Sequence, residues 1–138
     1  MSAQHALEDE LKRALSDDTN IASAFGTPLR FVTGSEDRAA YPFIRALRHE
    51  TRPDAPNADG LLDHRISLEI FSRSGGREEA MRLIGLIADA LRAAELSPSG
   101  HHLILFHPVF SDVFLRPDGT TFRGLLRFRA LSEPASLV

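Results

Sequence analysis

Six histidines in a chain of 138 residues are the side chains that most directly suggest metal chemistry. His101 and His107 are an even number of positions apart, which predicts that both lie on one face of a strand, with Asp112 nearby in sequence. A zinc site needs three or four converging ligands, and this group has no second pair of ligands at a matching spacing. His49 and His64 are interpreted as strand residues on a solvated face. We therefore expect no metal site.

Nucleophilic and phosphate-binding chemistry are not indicated either. The sequence lacks a Gly-x-Ser-x-Gly motif, and its serines lie in turns without an oriented base. The segment SRSGGRE (72–78) places glycines before a helix but lacks the Lys and Ser/Thr of a P-loop. The carboxylate pairs Asp17/Asp18 and Glu78/Glu79 fall at helix ends, where they interact with the helix dipole. We expect no catalytic residue and no cofactor, and hence a protein that is not an enzyme.

Arginines at alternate positions of the last predicted strand, residues 121–131, are the most unusual feature of the sequence. Arg123, Arg127 and Arg129 share one face. The other face is apolar and is formed by Phe122, Gly124, Leu126, Phe128 and Ala130. Like charges this close repel one another unless acids, phosphates or water surround them. Three interpretations remain open: a solvated face with acids from a neighbouring strand, a subunit interface, and a surface that contacts DNA.

The composition is that of an ordinary globular protein, with 43% hydrophobic and 25% charged residues and a formal net charge of −3. This charge argues against a dedicated nucleic-acid-binding protein, whose domain is usually basic. The chain has no cysteine, which excludes disulfides and thiolate zinc sites. The acidic, amphipathic N-terminus is unlike a signal peptide, and no apolar run approaches the ~20 residues of a membrane helix. We expect a soluble intracellular protein in which residues 1–138 form one domain.

Hydrophobic periodicity predicts the elements that position these residues. Leucines every fourth residue predict a helix over residues 3–16, and a second long helix follows SRSGG, with Met81, Ile84, Ile87, Ala88 and Leu91 on its apolar stripe. Strands are predicted at residues 29–32, 43–50, 61–72, 102–107, 109–116 and 121–131, with a break at Pro108 and a turn at PDGT. The order predicts an α+β fold: an antiparallel or mixed sheet of about five to six strands, with two main α-helices on one face.

Three segments, FSRSGGREEAMRLIGLIADAL, GHHLILF and RPDGTTFRGLLRFRALSEP, resemble the tail-completion or tail-terminator proteins of long-tailed phages. The chain is especially similar to those encoded in gene transfer agent clusters of alphaproteobacteria. The Tyr41–Pro42 step, residues 71–76 and residues 116–130 match the family pattern, so the resemblance covers most of the chain. Two departures are the longer loop TRPDAPNADG and the segment HPVFSDVF, where a more regular strand is usual.

The resemblance implies a structural virion protein without cofactor. Six copies would form a homohexameric ring that caps the tail tube, stops its polymerisation and joins it to the head connector. The implied partners are the tail tube protein, a head–tail connector or stopper protein, and double-stranded DNA that passes through the lumen without sequence-specific binding. The protein would be cytoplasmic during assembly and then lie at the head–tail junction of the virion or gene transfer agent particle, with no membrane contact. The alternatives are a head–tail stopper or connector ring protein and a small enzyme with an unrecognised site.

A ring would give the alternating arginines a partner. We expect them to contact carboxylates of an adjacent subunit rather than DNA, because close arginine–phosphate contacts would hinder DNA sliding. The predicted interface residues are Arg123, Arg127, Arg129, Glu8, Asp9 and Glu10. We also expect the polar loops VTGSEDRAA (32–40) and TRPDAPNADG (51–60) to be mobile in the free subunit and ordered against a ring neighbour.

Overall fold

A five-stranded mixed sheet with helices over one face organises the residues that the computed structural model describes, namely 2–32, 40–54, 60–73 and 75–135. The helices are α1 (Ala3–Asp17), α2 (Thr19–Phe25) and α3 (Gly76–Ala93). The strands are β1 (Phe31–Val32), β2 (Phe43–Pro53), β3 (Leu62–Ser72), β4 (His101–Leu115) and β5 (Phe122–Pro134). Their order is β1-β2-β3-β5-β4, with β1 parallel to β2 and the other neighbours antiparallel. The predicted α+β class is confirmed.

The two polar loops that are expected to order against a ring neighbour cannot be compared with the structure. Apart from their ends they fall at residues 33–39 and 55–59, which lie outside the described residues.

Leucines at four-residue spacing determine how α1 packs. Leu7, Leu11 and Leu15 are buried in the core between the helices and the sheet. At the start of α1, the Ser2 hydroxyl accepts a hydrogen bond from the His5 backbone N–H at 3.1 Å. Asp18 follows α1 and caps α2, so this single residue separates the two helices.

The buried stripe of α3 agrees only in part with the predicted one, since the two share Ile84, Ile87 and Leu91. Met81, predicted to lie on the stripe, is exposed, and Ala88 is only half-buried. Each residue turns the helix by about 100°, and a stripe that begins at Ala80 and continues to Leu83 leaves Met81 at its edge. The buried residues are Ala80, Leu83, Ile84, Ile87, Ala90 and Leu91. None of the helices in the described ranges is both long and apolar enough to cross a membrane.

The predicted break at Pro108 is wrong, because β4 runs without interruption through this residue. Since β4 is an edge strand that pairs only with β5, proline can occupy a position whose backbone donor is not needed by a neighbour. The strand adapts through register shifts between Leu103 and Leu105 and between Pro108 and Phe110. The first shift also corrects the prediction for the two histidines: His101 pairs with Pro134 and His107 with Arg129, so they lie on opposite faces.

A short turn joins β4 to β5 and has the predicted hairpin chemistry. Gly119 has a φ of 76°, which a glycine adopts without strain. The Asp118 carboxylate accepts hydrogen bonds from the Thr121 hydroxyl at 2.6 Å and from the backbone N–H groups of Thr120 and Thr121 at 2.9 Å. These bonds lower the pKa of Asp118 below its usual value.

Strand register gives the sheet two different faces. One, which we call the core face, packs against the helices and includes Ile44, Leu68 and Phe128. The opposite face, which we call the open face, carries the predicted arginines of β5. On β2, β3, β5 and β4 its charged residues are Arg45, Arg48, Glu50, Arg52, Asp63, Arg65, Glu69, Arg123, Arg127, Arg129, Glu133 and Asp112.

Close approach of α3 to β5 depends on the absence of a side chain at Gly124. A Cβ atom there would meet Cδ1 and Cγ1 of Ile84 at 2.7 and 2.9 Å. We expect Gly124→Val to lower the free energy of unfolding by about 2 kcal/mol through overpacking. The control is Gly85→Ala on the exposed side of α3, where no atom lies within 4 Å and a gain of up to about 1 kcal/mol is expected. Urea unfolding measures both, and equal effects would contradict the packing argument.

Candidate functional site

A buried carboxylate lies at the centre of the open face. The side chain of Glu69 is only 2% exposed. Its Oε1 accepts hydrogen bonds from Nε of Arg45 at 2.9 Å and Nη2 at 2.8 Å, and its Oε2 pairs with Nε of Arg123. The strand order produces this triad, because β3 lies between β2 and β5 and brings one acid between two arginines. A buried carboxylate is stable only when charges or donors of this kind surround it.

Aromatic rings contact the two arginines of this triad. The Phe71 ring lies 5.0 Å from the Arg45 guanidinium and 5.2 Å from that of Arg116, and it stacks on Phe43. The guanidinium of Arg123 lies 5.3 Å from the ring of Phe114. Cation–π contacts of this length are attractive and leave the planar cation partly accessible. Arg45 and Arg123 are therefore held in fixed orientations on the open face.

Arg127 has a different environment from its two neighbours on β5. Its guanidinium lies 4.9 Å from the Phe110 ring, and the described residues place no carboxylate within ion-pair distance of it. Together with Arg48 and Arg65 it borders a cavity of about 370 Å³, whose apolar wall includes Val109 and Phe110. We call these five residues the arginine groove.

The other two arginines of the groove each have a carboxylate partner. Arg48 pairs with Glu50 at 2.7 Å, and Arg65 approaches Asp63 at 3.4 Å. Asp63 also lies 3.4 Å from Arg129. The three predicted arginines of β5 are therefore on one face, as expected, but Arg123 and Arg129 have acidic partners on β3 within the chain.

The predicted acids lie on α1, in the layer on the opposite side of the sheet. Glu8 pairs with His49 at 3.1 Å, and Asp9 lies 3.4 Å from His5. Glu10 pairs with Arg13 at 2.6 Å and accepts a backbone N–H from Ser97 at 2.6 Å. The pKa of Glu10 is lowered chiefly by the hydrogen bond from Arg13. Within one chain these acids do not contact the arginines of β5, so their predicted contact requires a second copy and stays a prediction.

Comparison with known proteins identifies the family. The sequence matches the family described as tail completion protein gp17 over residues 9–133. The chain belongs to this family. A chain of the virion of a native gene transfer agent particle has a similar fold, with a TM-score of 0.83, 19% sequence identity, and coverage of 96% of this chain and 99% of that one.

A second solved structure has the same fold at a greater distance. The bacteriophage SPP1 gp17 protein superposes with a TM-score of 0.60 at 18% identity, covering 93% of this chain and 89% of that chain. No curated protein matches the sequence. Membership in this family makes the chain a structural tail completion protein.

The tail completion fold of this chain also contains a buried histidine chain that the sequence interpretation missed. His64 is fully buried and His49 nearly so, which corrects their assignment to a solvated face. Nδ1 of His64 lies 2.7 Å from Nε2 of His49, and Nε2 of His64 lies 2.7 Å from the hydroxyl of Ser132. At the other end, Nδ1 of His49 lies 3.1 Å from the Glu8 carboxylate. The sequence pattern could have predicted the burial of His64, because this residue alternates with Ile66 on the apolar side of β3.

The hydrogen-bond partners assign the tautomers of both rings. The Glu8 carboxylate only accepts, so His49 donates from Nδ1 and its Nε2 accepts the Nδ1–H of His64. Nε2 of His64 then accepts the Ser132 hydroxyl proton. Burial, followed by the charge of His49, lowers the pKa of His64 to about 4. His64 is therefore neutral near pH 7, and the chain of bonds joins α1 to β2, β3 and β5.

Metal chemistry does not arise from these histidines. In the ranges that the structure describes, no three histidine or carboxylate side chains converge on a point that could hold an ion. The Ser132 hydroxyl is also buried, so this chain of bonds has no accessible nucleophile. The network is consequently a link between the helical layer and the sheet.

Proposed function

We propose that this protein terminates the tail tube as a homohexameric ring, stops polymerisation of the tube and joins it to the head connector. The observation that carries the proposal is the family match, which extends over residues 9–133 and therefore covers all five strands of the described sheet except the last residue of β5. The similar fold in the gene transfer agent particle supports the same assignment. The proposed partners are further copies of this chain, the tail tube protein and a head–tail connector or stopper protein.

The surface of the fold suits a ring of identical subunits. A closed ring needs two different patches on each subunit that fit one another, so that rotation can close the assembly. The open face and α1 lie on opposite sides of the sheet, which allows each subunit to contact two neighbours. One end of the ring would contact the tube and the other the connector. Assembly would take place in the cytoplasm, and the ring would then remain in the particle at the head–tail junction.

Double-stranded DNA would pass through such a ring without sequence-specific binding. The net charge of −3 disfavours a tight, phosphate-binding lumen. Weak contact is also what passage requires, since each close arginine–phosphate contact would be repeated in every subunit. The lumen is therefore proposed as a passage for DNA rather than a binding site.

Deletion of the gene tests the proposed function. We expect tube polymers of excessive length, together with heads that lack attached tails, because nothing would stop tube growth or connect the two parts. Electron microscopy of particles from the deletion strain measures tube length directly, and expression of the intact chain in that strain should restore normal tails. Tails of normal length on full heads would overturn the proposal. Tails of normal length that remain detached from heads would instead indicate a stopper or connector ring.

A further inference from the structure

We propose that the arginine groove is the docking site for the N-terminal half of α1 from a second copy of this chain. This inference rests on the proposed ring. It names the two surfaces that meet, and it assigns the contact between subunits to Arg127 rather than to all three arginines of β5. Arg127 is the central cation, whereas Arg123 and Arg129 act within the subunit.

Charge is distributed unequally between the two sides of the sheet. The open face has seven arginines (Arg45, Arg48, Arg52, Arg65, Arg123, Arg127 and Arg129) and five acids (Glu50, Asp63, Glu69, Asp112 and Glu133), a net charge of +2. Helix α1 has four acids (Glu8, Asp9, Glu10 and Asp17) and two bases (Lys12 and Arg13), a net charge of −2. Opposite charges on opposite sides of one subunit attract identical copies in a head-to-tail order.

The lining of the groove favours a protein partner over DNA. Val109 and Phe110 are large, exposed apolar side chains that phosphates cannot cover. Arg48 and Arg65 are already paired with acids of their own strands, which lowers the positive potential that DNA would meet. Protein interfaces combine aromatic residues and arginine in this way. The exposed acids of α1 fit the cationic part of the groove, whereas the apolar side chains of α1 are buried within their own subunit.

Asp9 is the most available acid of α1. It is exposed, and its partner within the chain is the equally exposed His5 at 3.4 Å. Exposed pairs of this kind contribute little and are easily replaced by a better partner. Glu10, in contrast, is held by Arg13 and by a backbone N–H. We therefore assign Asp9 as the residue that faces Arg127 of the neighbouring subunit.

Charge reversal tests the pairing in particles. In a strain that lacks the natural gene, Arg127→Glu should lower the amount of this protein in purified particles at least about tenfold, because an attraction becomes a repulsion. Adding Asp9→Arg to the same chain should restore it, which repair of a misfolded subunit could not explain. The control is Arg92→Glu, on α3, where Arg92 is exposed and pairs with Asp89; normal incorporation is expected.

Cross-linking supplies a second measurement that does not depend on charge. The chain has no cysteine, so Asp9→Cys with Arg127→Cys creates the only reactive thiols. A short bismaleimide added to particles should give a ladder of covalent multimers on denaturing gels. The matched pair Asp89→Cys with Arg127→Cys, which uses an exposed acid of α3 instead, should give none.

The possible results separate the inference from the proposed function. If the deletion strain makes overlong tubes but the Asp9/Arg127 pair gives no ladder and no charge rescue, the terminator role stands and this interface is wrong. If Arg127→Glu is incorporated normally and only DNA delivery falls, the groove faces DNA in the lumen and the inference is overturned. Rescue together with the ladder establishes the second copy as the occupant.

Discussion

Replacement of Glu69 by glutamine is expected to lower the free energy of unfolding by about 2–3 kcal/mol. The variant keeps the size of the side chain but removes the charge that Arg45 and Arg123 share. Its amide would also direct N–H groups toward guanidinium N–H groups. Breaking a fully buried ion pair costs more, about 3–5 kcal/mol. Here the two arginine side chains are 30% and 22% exposed, so water recovers part of the loss.

An exposed ion pair of the same face is the matched control. Glu50→Gln removes the partner of Arg48, but both side chains are open to solvent. A loss below about 1 kcal/mol is expected for such a pair. Urea unfolding at neutral pH compares the two variants. Equal losses would mean that burial of Glu69 contributes nothing to the strength of its contacts.

The Glu69 variant also has a consequence for assembly. It raises the net charge of the open face by one unit and releases two arginines from their fixed positions. The arginine groove lies farther along the same strands, bordered by residues that do not contact Glu69. We therefore expect Glu69→Gln to lower stability more than incorporation into particles, the reverse of the result expected for Arg127→Glu.

Local patterns were sufficient to predict the α+β class and most elements. The four-residue spacing of leucines predicts α1, and strict alternation predicts β3 and β5, because each pattern places one apolar face against the same core. The error at Pro108 has a non-local cause. Whether proline interrupts a strand depends on whether the strand has neighbours on both sides, and strand order is not contained in the segment itself.

The site was predictable only in part, for a related reason. Alternation placed Arg123, Arg127 and Arg129 on one face, and the structure confirms that arrangement. The acids that pair with two of them come from β3, a strand more than fifty residues earlier in the chain. Such a pairing follows from register, which a single sequence does not reveal. Acids from a neighbouring strand therefore account for two of the arginines, whereas the described residues supply no carboxylate partner for Arg127.

The histidine chain shows how polarity can mislead an interpretation based on sequence alone. His64 occupies an inward position of β3 by alternation, yet histidine is usually assigned to a wet face. The partners that make its burial tolerable, His49 and Ser132, belong to β2 and β5. A buried polar side chain is stable when its hydrogen bonds are satisfied, and those bonds become visible only after the strands are paired.

Acidification is expected to destabilise the subunit through His64. Its pKa is about 4 in the folded protein against 6.5 for the unfolded chain, so between these values the unfolded state binds more protons. The stabilisation is complete above pH 6.5 and is lost as the pH falls toward 4. Linkage between protonation and folding gives a loss of about 2 kcal/mol between pH 7 and pH 5, and about 3 kcal/mol in total.

Comparison of two histidine variants isolates this effect. His64→Gln removes the titrating ring, so its stability should be lower at pH 7 but should change less between pH 7 and pH 5 than that of the natural chain. His102→Gln, which alters an exposed histidine that contacts Glu133, should leave the pH dependence nearly unchanged. Urea midpoints at a series of pH values measure the slopes. Identical slopes for the natural chain and His64→Gln would contradict the assignment.

Burial, followed by the paired ring, explains why the effect should appear at His64. The two rings face each other with nitrogens 2.7 Å apart, and only one hydrogen fits between them. One added proton can be accommodated if the bonds along the chain reverse direction. A second proton would place two N–H groups against each other, between α1 and the sheet. Acid should therefore loosen α1 before the strands separate, and hydrogen exchange should show that order: amides of α1 lose protection at a higher pH than amides of β3 and β5.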